Sequence, residues 1–307
     1  MGGDILVIGY GPCGREAVQQ LHGAGRAVRV GQRRRPEDLP EGVGFVRCDV
    51  LDLDSLRSAL VGAAQVVLTI GFPYEGEVWQ RVWPATMRNL LEACGETGAR
   101  IVFLDNLYMY GPQTAPLVET MPLTAHGFKP AARAAATRLW QEQDRVKVAA
   151  LRAPDFYGPG VTLSHLGETG LAAVARGKRA TFVFSPNLPH DYAYTPDIGR
   201  AIVTLLDAPD DAFGQVWHMP CAPTKTSREI LEMGAQAAGV PLKLTALPGF
   251  VFAALAPFVP FLRNLKEMRF QWDRPYTVDA SKWRARFGSD VTPFEEGVAA
   301  TIASFRP

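Results

Sequence analysis

An α/β fold is expected here: a doubly wound parallel sheet with a smaller, mostly helical C-terminal lobe interleaved with it. Three observations predict it. Short apolar runs alternate with helical spacing through the first half, at residues 5–8, 27–30, 44–46, 66–70, 101–104 and 147–151. The first run ends in Gly9-Tyr10-Gly11-Pro12-Cys13-Gly14, a glycine pattern that opens a helix. Beyond about residue 155, Pro and Gly become frequent, strands shorten and helical segments predominate. Continuous apolar strands joined by helices belong in a parallel sheet covered on both faces.

The elements follow in order. Ala17, Val18 and Leu21 share one face of the first helix, and Val78, Val82, Leu90, Leu91 and Cys94 line a later, longer one. Thr195-Pro196-Asp197 reads as an N-cap, a first-turn proline and an acidic first turn. A helix over 198–206 and a strand over 215–218 follow, so residues 190–220 are expected to rejoin the sheet. The division is therefore 1–155 for the sheet domain, with that return, and 156–307 for the second lobe. Helices are predicted there at 227–238, 282–287 and 294–305. No internal repeat or low-complexity tract interrupts the chain.

Composition excludes several classes. The 307 residues are 47% hydrophobic and 21% charged, enough for a sizeable core and unlike a disordered chain. Lys plus Arg number 32 against 31 Asp plus Glu, a net +1 that supplies no general attraction to nucleic acid or to an anionic membrane. The N-terminus has no basic and apolar leader pattern, so no signal peptide is expected. The most apolar stretch, 247–262, is interrupted by Pro248, Gly249, Pro257 and Pro260 and falls short of the roughly 20 residues a spanning helix needs. Cys13, Cys48, Cys94 and Cys221 lie far apart with no metal-ligand spacing, so neither disulfides nor a metal site is expected, and the expected compartment is the cytoplasm.

The glycine pattern follows a strand and opens a helix, the context in which it binds a dinucleotide. The glycines let the backbone approach a pyrophosphate, and the helix N-terminus offers N–H groups and partial positive charge. A carboxylate for the ribose 2′-hydroxyl is usual at the end of the second strand. Between Glu16 and Glu37 there is no acid; Gly31 stands at that point, followed by Gln32-Arg33-Arg34-Arg35. A small residue with guanidinium groups beside it suits a 2′-phosphate. The expected cofactor is NADP(H), held by Arg33 and Arg34, with NAD(H) as the alternative.

With these segments the chain resembles the extended and atypical branch of the short-chain dehydrogenase/reductase superfamily, the NAD(P)-dependent epimerase/dehydratase-like proteins with a Rossmann-type sheet. Cys48-Asp49-Val50-Leu51-Asp52 is similar to the family's adenine-contacting turn, which implies roles for Asp49 and Val50. Thr69-Ile70-Gly71-Phe72 looks like the stretch lying along the cofactor, implying Ile70, Gly71 and Phe72 as contacts. The segment from Asp105 to Gly111 is similar to the family's Ser-Ser-x-x-x-Tyr-Gly. The segment from Arg152 through Pro154 and Tyr157 to Pro159 resembles its stretch near the nicotinamide.

The resemblance breaks at the chemistry. The family uses a Tyr general acid with a Lys four residues on, stacked on one helix face so that the ammonium favours tyrosinate. None of the eight tyrosines here has Lys at that spacing. Where the pair should fall stand Lys129 and Arg133, and the family's Ser position carries Asn106. Three readings stay open. Lys129 or Tyr108 is a substitute proton donor, with Asn106 on the carbonyl; Lys129 and Arg133 clamp an anionic group; or the site binds cofactor without turnover.

The leading expectation is an NADP(H)-dependent oxidoreductase moving hydride to or from a carbonyl carbon of a small molecule. The alternatives are a nucleotide-sugar epimerase/dehydratase with bound NAD, and a non-catalytic NADP-binding regulator. His190-Asp191, even with Asp155 as a partner, reads as a solvent-facing or capping pair, and no serine-hydrolase elbow occurs. Asp49 and Asp52 read as adenine contact and helix N-cap rather than metal ligands. The aromatic run Phe250, Phe252, Phe258, Phe261, Phe270 and Trp272 reads as core of the second lobe, with an apolar substrate lining or a homodimer contact as the sharper options.

Overall fold

The computed structural model describes residues 3–124 and 126–306. In chain order its main elements are β1 (Asp4–Ile8), α1 (Pro12–Gly23), β2 (Val28–Gln32), β3 (Gly44–Arg47), α2 (Leu53–Leu60), β4 (Ala63–Leu68), α3 (Gly76–Thr97), β5 (Arg100–Asp105), α4 (Phe128–Gln141) and β6 (Val148–Arg152). There follow β7 (Phe156–Tyr157), α5 (Ala172–Ala175), β8 (Ala180–Val183), β9 (Pro189–His190), β10 (Ala193–Tyr194), α6 (Thr195–Asp207), β11 (Gln215–His218), β12 (Lys225–Thr226) and α7 (Ser227–Ala238). The last are β13 (Leu244–Leu247), α8 (Gly249–Leu255), α9 (Pro260–Leu265), α10 (Ser281–Phe287) and α11 (Phe294–Ser304).

The chain forms two compact units. The first holds Met1–Met109, Leu123–Arg152 and Ile198–Trp217. Its sheet has seven strands in the order β11-β6-β5-β4-β1-β2-β3, and the strands from β6 to β3 run parallel. Ile5 lies opposite Val28 on one side and Gln65 on the other. The order reverses between β1 and β4, and the carboxyl ends of strands at such a reversal are where an open α/β sheet binds its ligand. Both faces are covered, as the unbroken apolar strands require: Ile5, Leu6, Val7 and Ile8 are all buried. On α3, Trp79, Trp83, Met87 and Leu90 form the buried stripe, whereas Val78 and Leu91 are only partly covered. That helix ends where Gly98 turns left-handed (φ 74°) and donates its N–H to the Cys94 carbonyl.

The second unit holds Tyr110–Pro122, Ala153–Asp197 and His218–Pro307. Its regular structure is mostly helical, and three two-stranded sheets (β10-β7, β12-β9 and β13-β8) accompany the helices. Strands this short leave too little periodicity to be read from sequence. The boundaries also differ in detail: the first break falls after Arg152, the return covers Ile198–Trp217, and Tyr110–Pro122 joins the second unit. In that unit the Tyr110 hydroxyl is 2.8 Å from His218 Nε2, and Leu117 donates its N–H to the Thr277 carbonyl. Helix α7 carries a full capping box, with Thr226 and Glu229 each accepting from the other's backbone N–H. Thr226→Ala is expected to cost about 1 kcal/mol of stability, readable as a lower urea midpoint. The aromatic run divides. Phe252, Phe270 and Trp272 are buried, Phe250 and Phe258 are exposed, and the side chain of Phe261 lies outside the described residues.

Candidate functional site

The glycine turn between β1 and α1 is built by close backbone approaches. Gly9 sits at φ 101°, where an L side chain is strained, and a Cβ there would come within 2.9 Å of the Ile70 nitrogen. A Cβ on Gly14 would overlap the Gly9 carbonyl oxygen and come within 2.6 Å of Thr69 Oγ1. Thr69 ties the two loops together, donating its hydroxyl to the Gly9 carbonyl at 2.8 Å. Gly11 differs, since a Cβ there would meet nothing within 4 Å. Its bareness is thus not required by the protein's own packing. Pro12 occupies the first helical turn, no acid lies in that turn, and the N–H groups of Cys13 and Gly14 have no acceptor within the helix. Burial pushes the Cys13 thiol up to about 12, so Cys13 serves as packing and backbone donor, not as a nucleophile. This cradle fits a pyrophosphate.

A direct consequence separates the glycines. Gly11→Ala is expected to fold with an unchanged melting midpoint and to bind dinucleotide about tenfold more weakly. Gly14→Ala should in addition lose about 2–3 kcal/mol of stability through the overlap. Calorimetry on both variants checks the contrast.

The tip of β2 corrects one expectation. Gly31 is buried in the sheet, and a Cβ there would meet Leu6 Cδ1 at 3.2 Å and Cys48 Cβ at 3.3 Å, so it makes room for neighbouring core and not for a ligand. The residue that faces the glycine turn is Gln32. Its Oε1 accepts from the Tyr10 N–H at 3.2 Å, and its Nε2 donates to the Arg34 carbonyl at 2.8 Å. A neutral amide thus stands where a dinucleotide fold usually presents a carboxylate. Arg33 and Arg34 follow, both exposed, and neither makes an ion pair among the described residues. Arg15 on α1 pairs with Asp38 and lies 4.8 Å from the Tyr10 ring centroid. Asp49 accepts from the Leu51 N–H at 3.0 Å, and Asp52 caps α2 through the N–H groups of Asp54 and Ser55. Val50 is buried, and its carbonyl accepts from Asn89. Beyond β4, Ile70 packs against Gly9, Gly71 is exposed with nothing near a Cβ, and Phe72 packs edge-on against Trp83. Pro154 is buried in the second unit, two residues past β6.

Helix α4 corrects a second expectation. Arg133 is buried, and its Nε donates to Asp105 Oδ1 at 2.8 Å while Nη2 bonds the same oxygen. Asp105 Oδ1 also accepts from the Asn106 N–H at 2.8 Å, and Oδ2 lies 3.4 Å from Arg152 Nε. The Arg133 guanidinium lies 3.7 Å from the Trp83 ring centroid. Burial pulls its pKa below the ordinary value and Asp105 pushes back, yet an arginine stays charged. Arg133 is therefore consumed in an internal network and is no anion clamp. Lys129, one turn earlier, is also fully buried, with Nζ 4.4 Å from the Tyr74 ring centroid. Tyr108 lies half-buried over Trp79, and its N–H donates to the Asn106 side chain at 3.1 Å. Asn106, Tyr108 and Arg133 thus meet through Asp105 and Trp79, and Lys129 shares the aromatic cluster through Tyr74.

The second unit holds a titratable cluster outside the first. His190 does not face Asp191. Its Nε2 is 3.2 Å from Asp155 Oδ2, whereas Asp191 accepts from Thr224 Oγ1 at 2.6 Å and the Val278 N–H at 2.8 Å. Trp272 Nε1 donates to Asp155 at 3.0 Å, and His165 stacks on Trp272 with centroids 3.9 Å apart. Against the upward push of burial, His190, His165 and Trp272 hold the Asp155 carboxyl below its ordinary value. Burial pushes the His165 imidazole down to about 4. A folded-state value below the unfolded one means the unfolded chain takes up the proton first. Stability is then full above about pH 6.5 and falls as pH drops toward 4, by about 3 kcal/mol at most. His165→Phe keeps the stack and should flatten the loss between pH 7 and 5 in urea melts; parallel losses in both proteins would contradict this.

Comparison with known proteins gives these sites a context. The sequence profile of the NAD dependent epimerase/dehydratase family matches residues 5–218. The chain belongs to this family. The match spans the glycine turn, the β2 tip, the Asp105 network and the return to the sheet. No curated protein sequence matches the chain. Among solved structures, UDP-glucose 4-epimerase of Thermus thermophilus with NAD is 22% identical at a TM-score of 0.78, covering 98% of each chain. UDP-glucuronic acid 4-epimerase of Bacillus cereus with NAD is 17% identical at 0.80, again covering 98% of each. UDP-glucose 4-epimerase of Thermotoga maritima with UDP-glucose is 17% identical at 0.79, with the same coverage. At such identities the likeness is one of fold. The family's enzymes are NAD-dependent, which agrees with a nicotinamide dinucleotide on this chain's glycine turn. Sequence reading missed the roles of Gln32, Asp105 and Arg152; the first was hidden because the apolar run ends at residue 30 while β2 continues to Gln32, the others by the distance in sequence between partners.

Proposed function

We propose that this family member is an NADP(H)-dependent oxidoreductase with an altered proton donor, acting on a small carbonyl or alcohol. The observation that carries the reading is the β2 tip: Gln32 in place of a carboxylate, followed by the exposed, unpaired Arg33 and Arg34. A 2′-phosphate there gains charge-assisted bonds, and no acid on β2 repels it. Gly9, Gly11 and Gly14 would hold the pyrophosphate with the N–H groups of Cys13 and Gly14, and Asp49 and Val50 the adenine. The cofactor, when bound, supplies or accepts a hydride at the substrate carbon.

What remains falls to the chain's own side chains. Asn106 can donate its amide to a carbonyl oxygen, its own Oδ1 being engaged by the Tyr108 N–H. Tyr108 holds a transferable proton, and Lys129 supplies positive charge one turn from Arg133. Asp105 and Arg133 touch no substrate in this reading; they fix the backbone of Asn106 and are positioning residues. Single-turnover absorbance at 340 nm (roughly the reduced-nicotinamide band) with a carbonyl panel tests this. Oxidation of NADPH by the parent and not by Tyr108→Phe supports the assignment of Tyr108.

One observation favours a second reading, a non-catalytic NADP-binding regulator. The lysine's place in the family pair is taken by an arginine that is locked to Asp105. Silence across a broad panel, with measurable NADPH affinity, would select it. A purified protein carrying tightly bound NAD would instead select a nucleotide-sugar epimerase.

A further inference from the structure

The chain-wide balance of charge hides a local asymmetry in the second unit. Between Glu232 and Glu267 there is no acidic residue, and the cations in that interval are Lys243, Arg263 and Lys266, all exposed. Inside it lies the pair of short helices α8 and α9. Phe252 and Ala256, one turn apart, anchor α8; both are buried, and Phe252 packs on Phe184 with ring centroids 4.7 Å apart. Leu262 and Leu265 anchor α9 in the same way, while most of the run from Phe250 to Val259 points outward. Phe250 is 77% exposed, Phe258 83%, Leu255 41% and Val259 38%. These are four of the eight exposed large apolar side chains among the described residues, gathered within ten positions. Ala253, Ala254, Pro257 and Pro260 between them are exposed as well, so no polar side chain breaks the face.

We propose that this face docks on an anionic lipid surface, with Phe250, Leu255, Phe258 and Val259 entering the headgroup boundary and Arg263 and Lys266 resting on the phosphates. No helix among the described residues is long and apolar enough to span a membrane, so the contact is peripheral. Aromatic and aliphatic side chains beside exposed cations have the composition of an interfacial element. Charge decides against a second copy of this chain. A two-fold contact lays a patch on itself, bringing the exposed Arg263 and Lys266 of α9 and its end in both copies toward one another, with no acid in this interval to offset them. Arg269, the next cation, is committed to Asp273 at 3.0 Å and does not alter the sign. The inference stands independently of the cofactor reading, because none of these residues belongs to the dinucleotide site.

The test is co-sedimentation of the full chain with vesicles of phosphatidylcholine, alone or mixed with phosphatidylglycerol. Binding is expected to the mixed vesicles and to weaken as salt rises. Phe250→Ser with Phe258→Ser should reduce it by about tenfold or more, and Arg263→Glu with Lys266→Glu by a further margin of about tenfold. Because all four side chains are exposed, both variants should keep the parent's melting midpoint and NADPH affinity, which separates this test from that of the proposed function. No binding to either vesicle overturns the proposal, as does binding indifferent to the phenylalanine substitutions. Light scattering showing an oligomer that Phe250→Ser with Phe258→Ser reduces to a monomer would also overturn it, assigning the face to self-association.

Discussion

Replacing Arg33 and Arg34 together by alanine is expected to weaken NADPH binding about a hundredfold while changing NADH binding by less than about threefold. Charge-assisted hydrogen bonds contribute roughly 1.5–3 kcal/mol each where the partner is a phosphate, and exposure at a strand tip keeps the pair toward the lower end. NADH has no 2′-phosphate, so it gains nothing from either guanidinium beyond weak long-range attraction, which salt screens. The converse change makes the same point. Gln32→Glu places a carboxylate where the amide now links Tyr10 and Arg34, and it should shift preference toward NADH, because an anion there accepts from a ribose hydroxyl and repels a phosphate. Paired titrations of both nucleotides against each variant measure the effect. Equal losses for both nucleotides in the double alanine variant would remove the phosphate assignment.

The largest effect on stability is expected at Asp105. Its carboxylate is buried and serves Arg133, Arg152 and the Asn106 N–H at once. Asp105→Ala removes the carboxylate that the buried Arg133 and Arg152 guanidinium groups share, and breaking a buried pair from one side costs about 3–5 kcal/mol. For a domain of this size the melting midpoint should fall by about 10 °C or more. Arg133→Met should cost much less, since Arg152 remains on Asp105 and an unbranched apolar chain can still cover the Trp83 face. The first variant leaves two buried positive charges without the Asp105 carboxylate and the second leaves Asp105 balanced by Arg152, so their ranking tests the network itself rather than the general cost of a core substitution. Arg133 costing as much as Asp105 would mean that packing on Trp83, not charge balance, is what the site supplies.

These expectations rest on features of unequal legibility. The alternation of apolar runs and helices placed β1, β2, β3, β5 and β6 to within two residues; β1, β5 and β6 lie inside the sheet, and a strand covered on both faces is apolar nearly throughout and needs no partner to be recognised. The glycine turn was equally plain, since its constraint is local: a left-handed Gly9 and a Gly14 pressed against the Gly9 carbonyl. The end of β2 was not. The apolar run ends at residue 30 but β2 continues to Gln32, and because side chains alternate along a strand the position facing the turn is Gln32 and not Gly31; only pairing with β3 fixes that.

The capture of Arg133 was hidden for a different reason. Lys129 and Arg133 share a helix face, which their spacing shows, but the carboxylate that captures Arg133 lies 28 residues earlier in the chain. Asp155 is a partner that the sequence offers for His190 and does not favour, because their encounter depends on the fold of the second unit. The short strands of that unit carry two to four residues each, too few for any period to emerge. Exposure of Phe250 and Phe258 reverses the expectation that aromatics cluster inward, and only the placement of Phe252 on the opposite face reveals it.

A calorimetric titration of the purified chain with NADPH and, separately, with NADH is the most direct test of the central claim. The account predicts saturable binding of NADPH, tighter than NADH by at least about tenfold, and abolition of that preference in the Arg33 and Arg34 double variant. No heat with either nucleotide at millimolar supply, or tighter binding of NADH, would contradict it.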